Sequence, residues 1–202
     1  MRSEFELSIK SNQAAFGLDL ADEQIERLAC FYDLIQQHNE FLHLVGPMSA
    51  EEFAIRHILE SLTLLEYLPK NTRFADVGAG AGLPSIPCLL VRTDLKAVLI
   101  ESKNSKAGFL RIVLAKCELQ RRANIFDRQF AELRKPDFTY VTCRALDKFT
   151  EKLPALLRWS GNCSSILFGG NSLRESLVKT NVQFTEKLLP MSEQRYLFYL
   201  SK

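Results

Sequence analysis

The residues best suited to chemistry in this chain are three glycines at alternate positions, in the run Asp76-Val77-Gly78-Ala79-Gly80-Ala81-Gly82-Leu83. They follow a strand-like approach, Arg73-Phe74-Ala75, and open onto a helix-like segment from Ser85 to Val91. Glycines at such a bend let the backbone turn tightly and bring bare N–H groups against a ligand. A glycine-rich turn between a strand and a helix is the nucleotide site of doubly wound α/β folds. The spacing is G-x-G-x-G rather than the G-x-G-x-x-G of dinucleotide sites, and Asp76 stands two residues before the first glycine. Glu101 closes the next strand-like run, 19 residues after Gly82. An acid there accepts hydrogen bonds from ribose hydroxyls, and the two oxygens of one carboxylate suit the 2′ and 3′ hydroxyls together. The glycines and Glu101 read as a cofactor cradle; the competing readings are a tight turn with no ligand and an exposed acid at a strand end.

The spacing with its leading acid is similar to motif I of the class I S-adenosylmethionine (SAM) methyltransferases, which implies SAM as the cofactor. In that class the turn after the third strand lies along the adenine. Here it is Asp127 to Leu133, where Phe130 and Ala131 offer apolar contact and backbone hydrogen bonds; Phe130 reads equally well as core. The fourth strand ends at Thr142-Cys143-Arg144-Ala145, on the edge of the sheet where substrate meets cofactor. Arg144 can hydrogen-bond substrate or the cofactor carboxylate, stack on a base, or serve as a strand-end ion pair. The Asn/Asp-Pro-Pro-aromatic motif of amine methyltransferases does not occur there. Pro87-Cys88 lies beside the glycine turn, so Cys88 reads as helix core rather than a nucleophile. No Lys-Asp-Lys-Glu set for ribose methylation is evident. What remains is an acceptor that needs no general base. N7 of guanine, with a free lone pair and no proton to lose, meets that condition, and alignment alone then supplies catalysis.

Alternating strands and helices must position these groups. The spacing predicts strands over Arg73–Val77, Ala97–Ile100, Asn124–Phe126, Phe138–Cys143 and Ser164–Phe168. Between and after them it predicts helices over Leu83–Val91, Ser105–Cys117, Asp147–Trp159 and Leu173–Lys179. Such alternation builds a parallel sheet covered on both faces. Val182–Leu188 and Tyr196–Leu200 complete a seven-stranded sheet as a closing hairpin. The first 70 residues read as helical: Ile25, Leu28, Ala29, Tyr32 and Ile35 recur at helical steps after a candidate cap at Asp22. Ser49 with Glu52 forms a capping-box pattern before a helix that Pro69 ends. The expected architecture is a helical extension over 1–70 on a Rossmann-like SAM-binding core over 71–202, the two forming one compact unit.

Charge separates these two parts. Residues 1–70 hold 5 Lys/Arg against 12 Asp/Glu, and residues 71–202 hold 21 against 12. Nine basic residues between Lys103 and Lys135, among them Lys106, Arg121 and Arg122, face three acids. Nucleic acid is one natural partner for such a run; a solvated helix face is the other reading. Five scattered cysteines without a C-x-x-C pair read as reduced core thiols, with no metal site. No apolar stretch of membrane-spanning length occurs, and the polar start, Met1-Arg2-Ser3-Glu4, is unlike a secretory signal. A cytoplasmic monomer is expected.

Asp76 to Pro87 resembles the D-V-G-x-G-x-G-L-P-G-I-P signature of the RsmG (GidB) family. Arg56-His57-Ile58-Leu59-Glu60-Ser61 is similar to its R-H-I-L-D-S helix, Glu101-Ser102 with Lys106 and Phe109-Leu110 to its D-S…K-R…F-L stretch, Cys143-Arg144-Ala145 to S-R-A, and Arg195-Tyr196-Leu197 to R-H-L. The resemblance runs from about residue 25 to the end. It implies transfer of a methyl group from SAM to N7 of a guanine in bacterial 16S rRNA, free or in the small ribosomal subunit. It implies cofactor contacts at Gly78, Leu83, Phe130, Ala131 and Arg144, with Arg56 and His57 near the glycine turn as substrate contacts or as a brace. Lys103, Lys106, Arg121 and Arg122 are the further candidates for RNA contact. The chain departs from the family pattern at His43-Leu44-Val45 (usually Asn-Leu-Thr), Glu101 (Asp), Gln129 (Arg) and Phe168 (Lys). Two other readings stand beside this one: a class I methyltransferase acting on another RNA site or a small molecule, and a non-enzymatic RNA-binding protein with a vestigial cofactor fold.

Overall fold

The computed structural model describes residues 1–134, 137–144 and 146–202; Lys135 of the basic run and Ala145 of the Cys143-Arg144-Ala145 motif lie outside these. Among the described residues the sheet has seven strands: β1 (Arg73–Val77), β2 (Lys96–Ile100), β3 (Ala123–Phe126), β4 (Tyr140–Arg144), β5 (Ser164–Gly169), β6 (Thr185–Leu188) and β7 (Tyr196–Leu200). Their order is β3-β2-β1-β4-β5-β7-β6. β1 to β5 are parallel, β7 is antiparallel to β5, and β6 pairs antiparallel with β7. The expected Rossmann-like, mostly parallel sheet with its final hairpin is the observed one. The order reverses between β1 and β4, which opens a crevice at their carboxyl ends, where ligands bind in such sheets.

Both faces of the sheet are buried, and side-chain alternation along the strands decides which helices each residue meets. Phe74, Ile166, Phe168 and Leu197 belong to one core, with α1 (Arg2–Asn12), α2 (Asp22–Leu42), α5 (Ser85–Val91) and α6 (Asn104–Lys116). Ala75, Val141, Cys143, Leu167 and Phe198 belong to the other, with α7 (Phe149–Ser160) and α8 (Asn171–Lys179). Asp76, Thr142 and Arg144 share the parity of Phe74 and so face the first core, toward the amino-terminal helices.

The amino-terminal segment differs in detail from its sequence reading. Asp22 is the first helical residue of α2, and Ala21 precedes it, its N–H donating to Gln24 Oε1 at 2.9 Å. Only half of the capping box forms: Ser49 Oγ accepts from Glu52 N at 3.0 Å, while the Glu52 carboxylate pairs with Arg56 instead. The helix it starts is not uniform. Ala50–Phe53 (α3) widens into a π-helical stretch, Ala54–Leu59, narrows through Glu60–Leu62 (α4), and ends as a 3-10 turn, Thr63–Tyr67. Such π-turns are frequent at functional sites, and this one carries Arg56 and His57. Of the cysteines, Cys88, Cys143 and Cys163 are buried as core thiols, but Cys30 is exposed.

Candidate active site

The glycine turn joins β1 to α5 at the reversal point of the sheet. Its three glycines all have positive φ: 74° at Gly78, 55° at Gly80 and 90° at Gly82. At Gly80 this backbone conformation is the constraint, since an added Cβ would meet no atom closer than 3.6 Å. At Gly82 the constraint is packing: a Cβ would lie 2.5 Å from Ile86 Cγ1. Gly82 therefore brings α5 onto the turn and does not line the cavity above it.

The turn spends four of its amides internally, those of all three glycines among them, against the expectation of bare N–H groups there. Gly78 N and Ala79 N both donate to Ile100 O, at 2.8 and 3.0 Å, and Gly82 N donates to Ala79 O at 2.6 Å. Gly80 N donates to Glu101 Oε2 at 2.9 Å. The parallel register, which sets Val77 beside Ile100, brings these partners together. A cradle of free amides suits a phosphate; the three glycine amides do not contribute to one here.

Glu101 is 7% exposed. Its other oxygen accepts from Lys103 N at 2.8 Å. An ionised carboxylate has about four acceptor positions, so each oxygen keeps one for a further donor. The carboxylate thus holds the turn and α6's start in place and still has capacity for two neighbouring hydroxyls.

Beside these groups lies a cavity of about 670 Å³, within the usual size of a small-molecule site. Gly78, Gly80, Leu83, Glu101, Phe130 and Arg144 line it, as do Arg56, His57, Lys103 and Lys106. The structure thus gathers ten of the sequence candidates, drawn from five stretches of chain, around one space. Phe130 stands edge-on to Trp159 at 5.4 Å between ring centroids, so the wall and core readings of this residue both hold.

Five candidates fall elsewhere. Asp76 is fully buried beneath the turn; its Oδ2 accepts from Ser85 Oγ at 2.6 Å. Desolvation by burial raises its pKa to about 7, against a smaller opposing effect of the Ser85 bond. It braces the turn from below. Ala131 is exposed on the short 3-10 turn Phe130–Glu132, outside the cavity lining. Arg121 is exposed and also away from the cavity. Arg122 does not offer a free cation: its guanidinium donates to Leu89 O at 2.9 Å, Arg92 O at 3.1 Å and Leu95 O at 3.5 Å. It ties the start of β3 to the end of α5 and to the turn that follows it, as an arginine near unpaired helix-end carbonyls will do. Gly82 is the fifth.

The opposite wall was largely illegible in the sequence. Asn39 clasps the loop after α2, donating to Val45 O at 3.1 Å and accepting from Val45 N at 2.9 Å. This holds Leu44 to Met48 against the cavity. Arg144 hydrogen-bonds Glu60 Oε2 at 3.1 Å, Ser61 Oγ at 3.3 Å and Arg56 O. Its guanidinium sits over the Phe168 ring, 5.6 Å from the centroid, because Arg144 and Phe168 pair across β4 and β5. Both ring nitrogens of His57 are buried without a partner among the described residues. Burial, then the nearby Arg144, Arg56 and Arg195, push its pKa down to about 3, so the imidazole is neutral. Arg128 and Lys152 join Lys103 and Lys106 as cations on the cavity lining. Two sequence signals marked Glu60: it stands at the acid of the R-H-I-L-D-S resemblance, and it is an acid among apolar residues, Ile58-Leu59-Glu60 followed by Leu62.

Comparison with known proteins agrees with this geometry. Among solved structures, magnesium protoporphyrin IX methyltransferase from Synechocystis with bound SAM superposes with a TM-score of 0.58, at 14% identity, over 91% of this chain and 99% of that one. A putative O-methyltransferase from Klebsiella pneumoniae gives 0.59, at 13% identity, over 85% and 90%. At these identities the likeness is one of fold. In sequence, the ribosomal RNA small subunit methyltransferase G of Chromobacterium violaceum is 32% identical over 143 residues, 71% of this chain and 68% of that protein. Its namesake in Salmonella agona is 34% identical over 129 residues, 64% and 62%. Residues 24–191 match the GidB family, described as rRNA small subunit methyltransferase G, and the chain belongs to that family.

Proposed function

We propose that this protein transfers the methyl group of SAM to N7 of a guanine in 16S rRNA. The observation that carries the reading is the shared cavity: a carboxylate with spare acceptor capacity, a glycine turn with four of its amides already bonded, and several cations all line one space. Glu101 would take the ribose hydroxyls, Phe130 the adenine, and the Gly78–Gly80 backbone the amino-acid end of the cofactor. SAM supplies an electrophilic methyl group on sulfur.

The protein's own groups then have little acid–base work to do. His57 is a weak base at neutral pH, with its pKa near 3. Burial raises the thiols of Cys88 and Cys143 well above their ordinary value, so neither is a thiolate. An acceptor nitrogen that carries no proton fits such a site. Catalysis would rest on holding the base in line with the methyl group, with Arg144 as the positioning cation at the cavity wall. Lys103, Lys106, Arg128 and Lys152 have no ion-pair partner among the described residues and reach the same lining from three elements. They would take backbone phosphates, whereas Arg111 beside them is paired with Asp127 at 2.6 Å. Arg56 and His57 would contact the base or its neighbours. We further propose that the chain works as a cytoplasmic monomer, with residues 1–70 acting as a helical extension of the core. Among the described residues no helix is long and apolar enough to cross a membrane, and no cluster of metal-binding side chains occurs.

The test is methyl transfer from labelled SAM to small-subunit particles and to free 16S rRNA, with the product mapped by cleavage at 7-methylguanine. Labelling of rRNA at a guanine N7 is expected. Binding of SAM with labelling of small molecules alone would refute the RNA substrate, and absence of SAM affinity by calorimetry would refute the enzyme.

A further inference from the structure

Glu60 is fully buried, yet it is a carboxylate. It lies on α4, between two arginines from distant parts of the chain. Its Oε2 accepts from Arg144 Nη2 at 3.1 Å, and its Oε1 accepts from Arg195 Nε at 2.7 Å. Arg144 ends β4, and Arg195 precedes β7, where its backbone N–H donates to Ser192 Oγ at 3.0 Å. A buried ion cluster of this kind stabilises a fold no better than apolar residues of equal volume, so stability alone gives it no reason to sit at a cavity wall.

The remaining contacts of Arg144 say what the cluster does. A guanidinium has five N–H donors. Those on Arg144 that meet protein go to Glu60, Ser61 Oγ and Arg56 O. Its Nε–H has no partner among the described residues, and the side chain lines the cavity. The Phe168 ring closes one face of the guanidinium plane. With three contacts along one edge and a ring beneath, the group has a single orientation, its unused edge left for a ligand acceptor.

We propose that Glu60 is a positioning residue. It aims Arg144 into the cavity, and Arg195 clamps it from the far side, so that the turn before the last strand helps set the geometry of methyl transfer. This rests on the methyl-transfer reading above for its catalytic consequence, but not for the orientation itself.

The test is a double-mutant cycle in the full chain, assayed on small-subunit particles at a temperature where each variant is folded. Glu60→Gln keeps the shape and removes the charge. It should lower kcat by roughly 10- to 100-fold, the weight of one charge-assisted hydrogen bond, with a smaller change in KM for SAM. In an Arg144→Ala background the same substitution should cost nothing further. Arg195→Gln, which leaves the helix untouched, should show a weaker loss of the same kind. Losses that multiply in the double variant, or an unchanged kcat in Glu60→Gln, would overturn the proposal. A second readout does not need activity. The ¹⁵N resonance of Arg144 Nε–H, assigned by its absence in Arg144→Ala, should shift and exchange faster with water in Glu60→Gln, or in Arg195→Gln if the former fails to fold. An unmoved resonance would refute the positioning role even if the wild-type protein methylates no RNA; inactivity of the wild type would refute only the reading of function.

Discussion

The two walls of the cavity are built in different ways. The wall formed by the glycine turn and Glu101 is backbone held by one carboxylate. Its parts lie within about 25 residues of each other, and the parallel register of β1 and β2 brings them together. The facing wall is side chain held by side chain: Arg144, Glu60 and Arg195 are separated by 84 and 135 positions. The first depends on conformations that few residues adopt. The second depends on charges that must stay paired out of water. They should therefore fail differently when altered.

The largest expected effect is on the backbone wall. Gly80→Val puts a β-branched residue at a φ of 55°, which such residues avoid. SAM affinity should fall below detection by calorimetry while the fold survives; retained micromolar binding would remove the turn from the cofactor site. On the side-chain wall, Arg144→Ala leaves the buried Glu60 with one partner instead of two. It should destabilise the protein by about 2 to 4 kcal/mol in denaturant titrations, besides impairing methyl transfer. A stability close to wild type would mean that Arg195 alone suffices for Glu60.

Acidity separates the walls in sign. Asp76, under the glycine turn, has its pKa raised to about 7. A carboxyl whose folded pKa is raised adds stability that is complete below its unfolded pKa, near 4, and is lost as pH rises through about 7. His57, in the facing wall, is lowered to about 3, so its contribution is complete above its unfolded pKa, near 6.5, and is lost as pH falls toward 3. Unfolding midpoints measured from pH 4 to 8 should show Asp76→Asn flattening the decline toward neutral pH. His57→Gln should instead flatten the loss on acidification. Identical pH profiles for the two variants would contradict the assignment.

The smallest effects concern the cations. Lys103→Ala with Lys106→Ala should weaken RNA binding by about tenfold and reduce its salt dependence by one to two counterions. Arg122→Ala should leave the salt dependence alone and cost about 1 kcal/mol of stability, since its donors serve carbonyls. A change of salt slope in Arg122→Ala would return that residue to the RNA interface.

These two arginines mark where the sequence stops being legible. Arg121 and Arg122 are adjacent and chemically alike, and their shared charge suggested one shared role. One is exposed, while the other reaches the carbonyls at the end of α5, and nothing in a charge pattern tells which direction a side chain takes. Ala131 and Phe130 were likewise grouped, and the 3-10 turn sends one into the wall and the other to solvent. The strands were well read, with β1 and β7 bounded as expected, because short apolar runs and the turn residues beside them are local signals. Asp22 and Ser49 were approximate for the opposite reason: caps depend on which donor a side chain finally meets.

By itself the sequence determined the sheet, the place of the glycine turn within it, and the pairing of that turn with Glu101. All three follow from local conformational limits and from a strand–helix rhythm confined to short stretches of chain. Only the tertiary structure decided that Arg144 is held by Glu60 and Arg195, that Arg122 is spent on helix-end carbonyls, and that the loop after α2 closes the cavity. Those outcomes come from burial. Once packing removes water from a charged group, that group takes whatever partner the fold has brought within reach, however distant in sequence.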